Sequence, residues 1–348
     1  MIIKENFEIE HIRNIQNEYK NDLHQLERTL FAFGLLEAIS RTGMPFIFKG
    51  GTCLMLLLKT PMRISTDIDI VVPPDTDIDS YIQKAGQIFP FFHVEEMKRE
   101  PKSNIEKRHF KFLYISPTKN TEITVLLDVL FEENHYASTL QKSLENKLLL
   151  TEGENQIITV PSINCILGDK LTAFAPHTVG KSIKDYDLEI IKQMFDSATL
   201  INEHTDFAEV KKTYNQIVRT EIAYRNINIQ AKDVLKDTIF SAACIVSKGF
   251  INPEDFTIYN RGINAIKSHI FGGRYGVERA AIEASRVMYF ASCILADKDS
   301  VADISDFDKY QKSYIEYEEL KNLSKVKKVY REAYAYSVAA LENCIGLI

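Results

Sequence analysis

The chain has 348 residues, 45% hydrophobic and 26% charged, with 14 Gly and 10 Pro, an ordinary globular composition that excludes a disordered or collagen-like chain. At the usual domain size this length makes about two domains. Lys plus Arg number 42 against 48 Asp plus Glu, a net charge of −6, so any nucleic-acid contact must rest on local patches.

The longest apolar runs, such as Cys53 to Leu58, end at a charge, far short of the roughly 18–20 residues of a membrane span. Charged and apolar groups alternate through the first residues without the apolar core of a secretory signal, so a cytoplasmic protein without membrane contact is expected. Five scattered cysteines with no CxxC pair read as reduced core thiols rather than a zinc site.

Apolar residues at helical spacing (Ile12, Ile15, Tyr19, Leu23, Leu26, Leu30, Leu35, Ile39) predict two helices over 6–42, ending at Gly43. Short β-rich runs follow at 46–48, 68–72, 91–94, 109–115 and 123–131, with helical pieces between them and one more strand at 157–160. From Ser162 the pattern is helical, with long segments at 203–226, 229–248, 274–297, 306–321 and 325–346. Turn signals at Asn252-Pro253 and Gly272-Gly273 separate them. The expected fold is α+β: a mixed β-sheet with flanking helices over 1–160, then a helical bundle domain over 161–348.

The chemistry concentrates between Phe48 and Val72. A strand runs into Gly50-Gly51-Thr52 and a short apolar helix follows. Glycines there let the backbone approach a ligand, and the first free N–H groups of the helix point at it, which outlines a phosphate cradle. The bland reading is a tight connection. In Thr66-Asp67-Ile68-Asp69-Ile70, strand alternation projects Asp67 and Asp69 together while the isoleucines pack behind. Two carboxylates on one face call for a cation, and magnesium shared with substrate phosphates is the usual one. A solvated acidic edge is the alternative. Asp75, Asp77 and Asp79 also alternate, but after Pro73-Pro74 they read as loop and first-turn carboxylates. A third acid, Asp128, interrupts the apolar run Ile123 to Phe131, where an unpaired carboxylate is costly, so it needs a partner. Pairing with a Lys or Arg is its structural alternative.

A Gly turn opening a short helix, an Asp-apolar-Asp strand and a third strand Asp resemble the nucleotidyltransferase superfamily that includes DNA polymerase beta. The fuller string Lys49, Gly50, Gly51, Thr52, Leu54, then Arg63, Ser65, Asp67, Ile68, Asp69 is similar to the AbiEii/AbiGii toxin family within it. Downstream, Gly168-Asp169-Lys170 and Lys184-Asp185-Tyr186-Asp187 resemble that family's Lys and basic-Asp motifs, so the likeness covers roughly 20–200. The family's two acids are often spaced as KDxxD, whereas here Asp185 and Asp187 compete for the position; Asp185, which follows Lys184, is preferred.

The resemblance implies a nucleotidyltransferase-type sheet. It also implies magnesium, with manganese as its substitute, on Asp67, Asp69 and Asp128, and an NTP held by Lys49, Gly50, Gly51, Thr52, Arg63 and Ser65. Lys170 and Asp185 would reach the cleft from the helical domain, both read as beginning helices. The acceptor implied is RNA, the tRNA 3′ end above all, in a toxin with a separately encoded antitoxin. The rivals are the same chemistry on a small-molecule acceptor and a catalytically silent nucleotide- or protein-binding module, against which the three intact acids argue.

The histidines form no HxxxH or HxH pair, so catalytic metal binding by His is not expected. The turn Phe271-Gly272-Gly273-Arg274-Tyr275-Gly276 lacks a preceding strand and reads as an interhelical loop able to touch substrate. Lys98, Arg99, Lys102, Lys107, Arg108 and Lys111 against Glu100 and Glu106 make a basic hairpin, and Lys321, Lys325, Lys327, Lys328 and Arg331 a second patch. Both are candidate phosphate-backbone contacts.

Overall fold

The computed structural model describes residues 1–98 and 105–348. The chain forms two compact units: the first is 1–134, 138–162 and 268–273, and the second is 135–137, 163–267 and 274–348.

The first unit opens with α1 (Ile9–Tyr19) and α2 (Leu23–Arg41), as the periodicity predicts. Then come β1 (Ile47–Lys49), α3 (Gly50–Leu57), β2 (Ile68–Val72), α4 (Asp79–Ala85), β3 (His93–Met97), β4 (Lys107–Ile115) and β5 (Glu122–Phe131). The five strands form a sheet in the order β1-β2-β5-β4-β3, parallel between β2 and β5 and antiparallel elsewhere. A separate two-stranded sheet pairs β6 (Thr139–Ser143) with β7 (Ile157–Pro161).

Alternation along the central strands makes the two faces unlike. Ile68 and Ile70 on β2, Phe110, Phe112 and Tyr114 on β4, and Val125, Leu127 and Val129 on β5 are all buried. That face meets α2, where Phe31 stacks on Tyr114 with ring centroids 3.6 Å apart. A buried carboxylate fastens the same contact: Glu27 accepts hydrogen bonds from Tyr114 Oη and Ser116 Oγ at 3.0 Å each, and from Thr118. Every hydroxyl aimed at Glu27 offsets part of the cost of burying its charge. The opposite face carries the residues out of phase with these, among them Asp69, Asp128 and His109.

The second unit is helical: α5 (Ile163–Ala173), α6 (Asp187–Glu203), α7 (Phe207–Arg225), α8 (Ala231–Val246), α9 (Pro253–Ala265), α10 (Val277–Leu295), α11 (Phe307–Tyr310) and α12 (Arg331–Asn343). Helix α10 packs against α8 and α12, and α5 against α6 and α7. Asn252-Pro253 is more than a turn signal: Asn252 caps α9, accepting from Asp255 N at 3.1 Å, and Pro253 opens the helix, a position where its missing N–H costs nothing. The long helix expected over 306–321 is instead the single turn α11 followed by a 3-10 segment, Glu318–Val326.

The connection between α9 and α10 is the interhelical loop the sequence indicates, and its residues 268–273 belong to the first unit. There Ile64 N donates to His269 O at 2.6 Å, Phe271 N to Met62 O at 3.1 Å, and Arg63 bridges Ile270. All five cysteines are buried and none forms a disulfide; burial pushes the Cys244 and Cys344 thiols up to about 12. Among the described residues no helix is long and apolar enough to cross a membrane.

Candidate active site

Strand register assembles the candidate residues. Lys49 on β1 lies opposite Asp69 on β2, Asp69 opposite Asp128 on β5, and Asp128 opposite His109 on β4. Lateral neighbours in a sheet point to the same face with Cβ atoms about 4.5–5.5 Å apart. Four adjacent strands therefore present Lys49, Asp69, Asp128 and His109 as one row.

Gly50 follows Lys49 and opens α3 at φ +84°, a left-handed conformation that an L side chain rarely adopts. A Cβ at Gly50 would lie 2.1 Å from Asp69 Oδ2. The backbone thus approaches the carboxylate so closely that only hydrogen fits. Gly51 is similarly hemmed: its Cβ would come 2.7 Å from both Arg63 Nη2 and Ser65 Oγ. Lys49, Gly50, Gly51, Arg63, Ser65, Asp69 and Asp128 are therefore gathered around the N-terminus of α3 and the row beside it.

Thr52 is the third residue of the turn. Its side chain is fully buried and its Oγ1 donates to Asp67 O at 2.7 Å, so the hydroxyl ties α3 to the approach to β2. Arg63 is also buried, its Nη1 donating to Ile64 O at 3.0 Å; its guanidinium packs beside Gly51 and brings positive charge to the start of α3. Ser65 O accepts from Thr29 Oγ1 at 3.0 Å, which ties the same loop to α2.

Asp67 precedes β2, and its Oδ1 lies 3.8 Å from Arg28 Nη2. Asp128 is paired, though neither with Lys nor with Arg: His109 Nδ1 meets its Oδ1 at 2.7 Å. The absence of paired-His spacing gave no warning of this residue. The signal available was phase, since His109 alternates against the buried Phe110, Phe112 and Tyr114, but its partner depends on a register that one strand cannot reveal.

Among the described residues no group of three or more His, Cys, Asp and Glu side chains forms a ready-made metal cage. Mg²⁺ seldom uses one; it keeps waters and takes one or two carboxylates plus substrate phosphates. Asp69 and Asp128, side by side on one rung with the glycine cradle adjoining, have the donor chemistry of that kind of site, and Asp128 is partly exposed.

The downstream motifs belong to the helical unit. Lys170 does not begin a helix; it lies well inside α5, buried, with Nζ 2.9 Å from Asp196 Oδ2 and 2.9 Å from Gln193 Oε1. Asp185 does not begin one either: it is exposed in a turn, its N–H donating to Ser182 O at 3.3 Å. Asp187 opens α6 and its Oδ2 lies 3.2 Å from Arg261 Nε. In the same unit Asp169 accepts from Tyr136 Oη at 2.8 Å, and Gly168 lets α5 and α7 touch, its Cβ position falling 2.8 Å from Tyr214 N.

Of the basic hairpin, Arg99 and Lys102 lie outside the described residues. Arg108 is committed: its Nε and Nη2 hold Glu96 at 2.7 and 2.8 Å and its Nη1 holds Asp79 at 2.8 Å. That fork keeps the Glu96 carboxyl below its ordinary value, chiefly through the hydrogen bonds from Arg108. In the second patch Lys321 pairs with Glu318 and Arg331 with Asp308, while Lys325 lies over the Phe250 ring, 4.1 Å from its centroid.

No curated protein matches the chain in sequence. Among solved structures it is similar to JHP933 from Helicobacter pylori, with 14% identity over 77% of this chain and 92% of that one and a TM-score of 0.46. A second H. pylori structure gives 15% identity, coverage of 77% and 95%, and a TM-score of 0.42. An antigenic nucleotidyltransferase-like protein from Paracoccidioides brasiliensis gives 16%, coverage of 56% and 88%, and 0.37. Residues 34–257, well over half of the chain, match the family described as nucleotidyl transferase AbiEii toxin, type IV TA system, a span that reaches beyond the region the motifs delimit. The chain belongs to that family of nucleotidyl transferase toxins of type IV toxin–antitoxin systems.

Proposed function

We propose that the protein moves a nucleoside monophosphate from an NTP to an RNA acceptor, the tRNA 3′ end, at the row formed by Lys49, Asp69 and Asp128. The observation that carries this reading is the shared rung: two carboxylates face each other on parallel strands beside a glycine turn that opens a helix. The N–H groups at the start of α3 receive phosphate oxygens, aided by the Lys49 ammonium and the Arg63 charge behind Gly51. Asp69 and Asp128, joined by Asp67 from the approach to β2, would hold Mg²⁺ or Mn²⁺. When bound, that ion neutralises phosphate charge. Arg28, 3.8 Å from Asp67 Oδ1, stands against the charge of that carboxylate. Asp128 also takes the proton of the acceptor hydroxyl in this reading, the task a positioned carboxylate performs in phosphoryl transfer. Lys170, whose ammonium neutralises Asp196, is given no phosphate contact, and Asp185 no defined role. The family implies an antitoxin as partner.

Incubation of the purified protein with total RNA, Mg²⁺ or Mn²⁺ and each labelled NTP in turn, followed by a sizing gel, tests the proposal. Label on tRNA-sized species is the expected result. Label on small molecules alone replaces the acceptor, and no label with any NTP overturns the reading.

A further inference from the structure

His109 touches one of the two central carboxylates from the side opposite Asp69. The row reads Asp69, Asp128, His109 across β2, β5 and β4, so Asp128 sits between its fellow acid and the imidazole. Its Oδ1 is 2.7 Å from His109 Nδ1. Donation by Nδ1 to a carboxylate sets the tautomer, leaving the lone pair of a neutral ring on Nε2. The His109 side chain is 14% exposed and that of Asp128 39%: the ring is packed, while the carboxylate opens toward solvent.

An Asp side chain has two soft torsions, and a carboxylate that must share a small cation with a neighbour loses affinity whenever it swings away. Hydrogen bonds that orient ligating carboxylates are worth about 10–100-fold in metal affinity. We propose that His109 is a positioning residue: its Nδ1–H holds Oδ1 of Asp128 so that the carboxylate stays on the rung with Asp69, ready for a divalent cation. This rests on the reading of Asp69 and Asp128 as cation ligands. The bond from β4 does what a third carboxylate would do for orientation, without adding negative charge to a pair that already repels.

The test is Mn²⁺ binding by the full chain, followed by the electron paramagnetic resonance signal of free Mn²⁺ with and without NTP, for wild type, His109→Asn, His109→Phe and Asp128→Asn. Asn offers an N–H one bond beyond Cγ, as Nδ1 does, but lacks the ring; Phe keeps the ring and loses the donor. Expected are about 10–100-fold weaker Mn²⁺ binding for His109→Phe and near wild-type binding for His109→Asn, with thermal unfolding in chelator showing both folded. Weakening in His109→Asn with wild-type affinity in His109→Phe makes the ring a packing element and overturns the proposal. Wild-type affinity in His109→Phe alongside loss in Asp128→Asn overturns it too, while leaving the cation reading intact. Absence of Mn²⁺ binding by the wild-type chain sinks that reading and the role of His109 with it.

Discussion

Lys170 Nζ and Asp196 Oδ2 meet at 2.9 Å in the interior of the helical unit, with Gln193 Oε1 also at 2.9 Å from the ammonium. Removing one member of such a pair strands the other charge, a loss of about 3–5 kcal/mol, whereas replacing both by apolar groups is often neutral. Lys170→Met is therefore expected to lower unfolding stability by that order, and Lys170→Met with Asp196→Leu to recover most of it. Urea unfolding of the three proteins checks this. A stable Lys170→Met would free the ammonium for another task and return it to the candidate phosphate contacts.

Gly50 tests the cradle without touching a charge. An Ala there puts its methyl carbon at a position 2.1 Å from Asp69 Oδ2, on a backbone with φ +84°. The left-handed conformation alone costs roughly 1–2 kcal/mol, and the carboxylate must move. A displacement near 1 Å can cost on the order of 10²-fold in rate, so labelling by Gly50→Ala should fall at least that far while circular dichroism stays native. Gly153→Ala, at φ +66° with nothing within 4 Å of the added atom, is the control for backbone strain and should keep its activity.

The acids separate chemistry from stability. Asp69→Asn and Asp128→Asn each remove a like charge from a neighbouring pair, so melting temperature should hold or rise slightly while transfer is lost. Asp67→Asn should also abolish transfer. Its loosened partner Arg28 is more than a third exposed, so little stability goes with it. Near wild-type turnover in any of the three would remove that residue from the site.

The legible parts of the fold are those in which one strand or helix carries its own signal. Ile68 to Val72 is a strand in both readings because two isoleucines and two valines, all β-branched and buried, surround a single acid. Strand β6 went unread because Thr139 to Ser143 is largely exposed and polar, and exists through its ladder with β7. The pattern over 306–321 imitates a helix with tyrosines at helical spacing, yet only its ends reach the core: Tyr310 and Leu320 are buried while Tyr314 is 83% exposed, so a continuous helix gains little packing. In the site, Gly50 and the acids are visible because their types are unusual for their places. Arg108 and His109 are not, since what they do depends on Glu96, Asp79 and Asp128 from other elements, which only register supplies.

The last expectation concerns pH. Asp237 on α8 is buried, and its Oδ2 accepts from His177 N and Thr178 Oγ1 at 2.8 Å each while Oδ1 faces Ser241 Oγ at 3.1 Å. Burial raises its carboxyl above the ordinary value against the opposing pull of these hydrogen bonds and of His177. A raised folded value means that the folded state keeps its proton at pH values where the unfolded chain has released it. Stability from this group therefore falls as pH climbs from the ordinary Asp range through the raised value, and is fully lost above it. Asparagine keeps the geometry, its oxygen accepting from His177 and Thr178 and its amide donating to Ser241, and it never ionises. Asp237→Asn should match wild type near pH 4 and become the more stable of the two as pH rises to 7, because Glu283, raised by burial in the same way, is common to both and cancels. Denaturant unfolding across that range measures the difference, and a gap that stays constant or reverses with pH would show that Asp237 is ionised in the fold throughout.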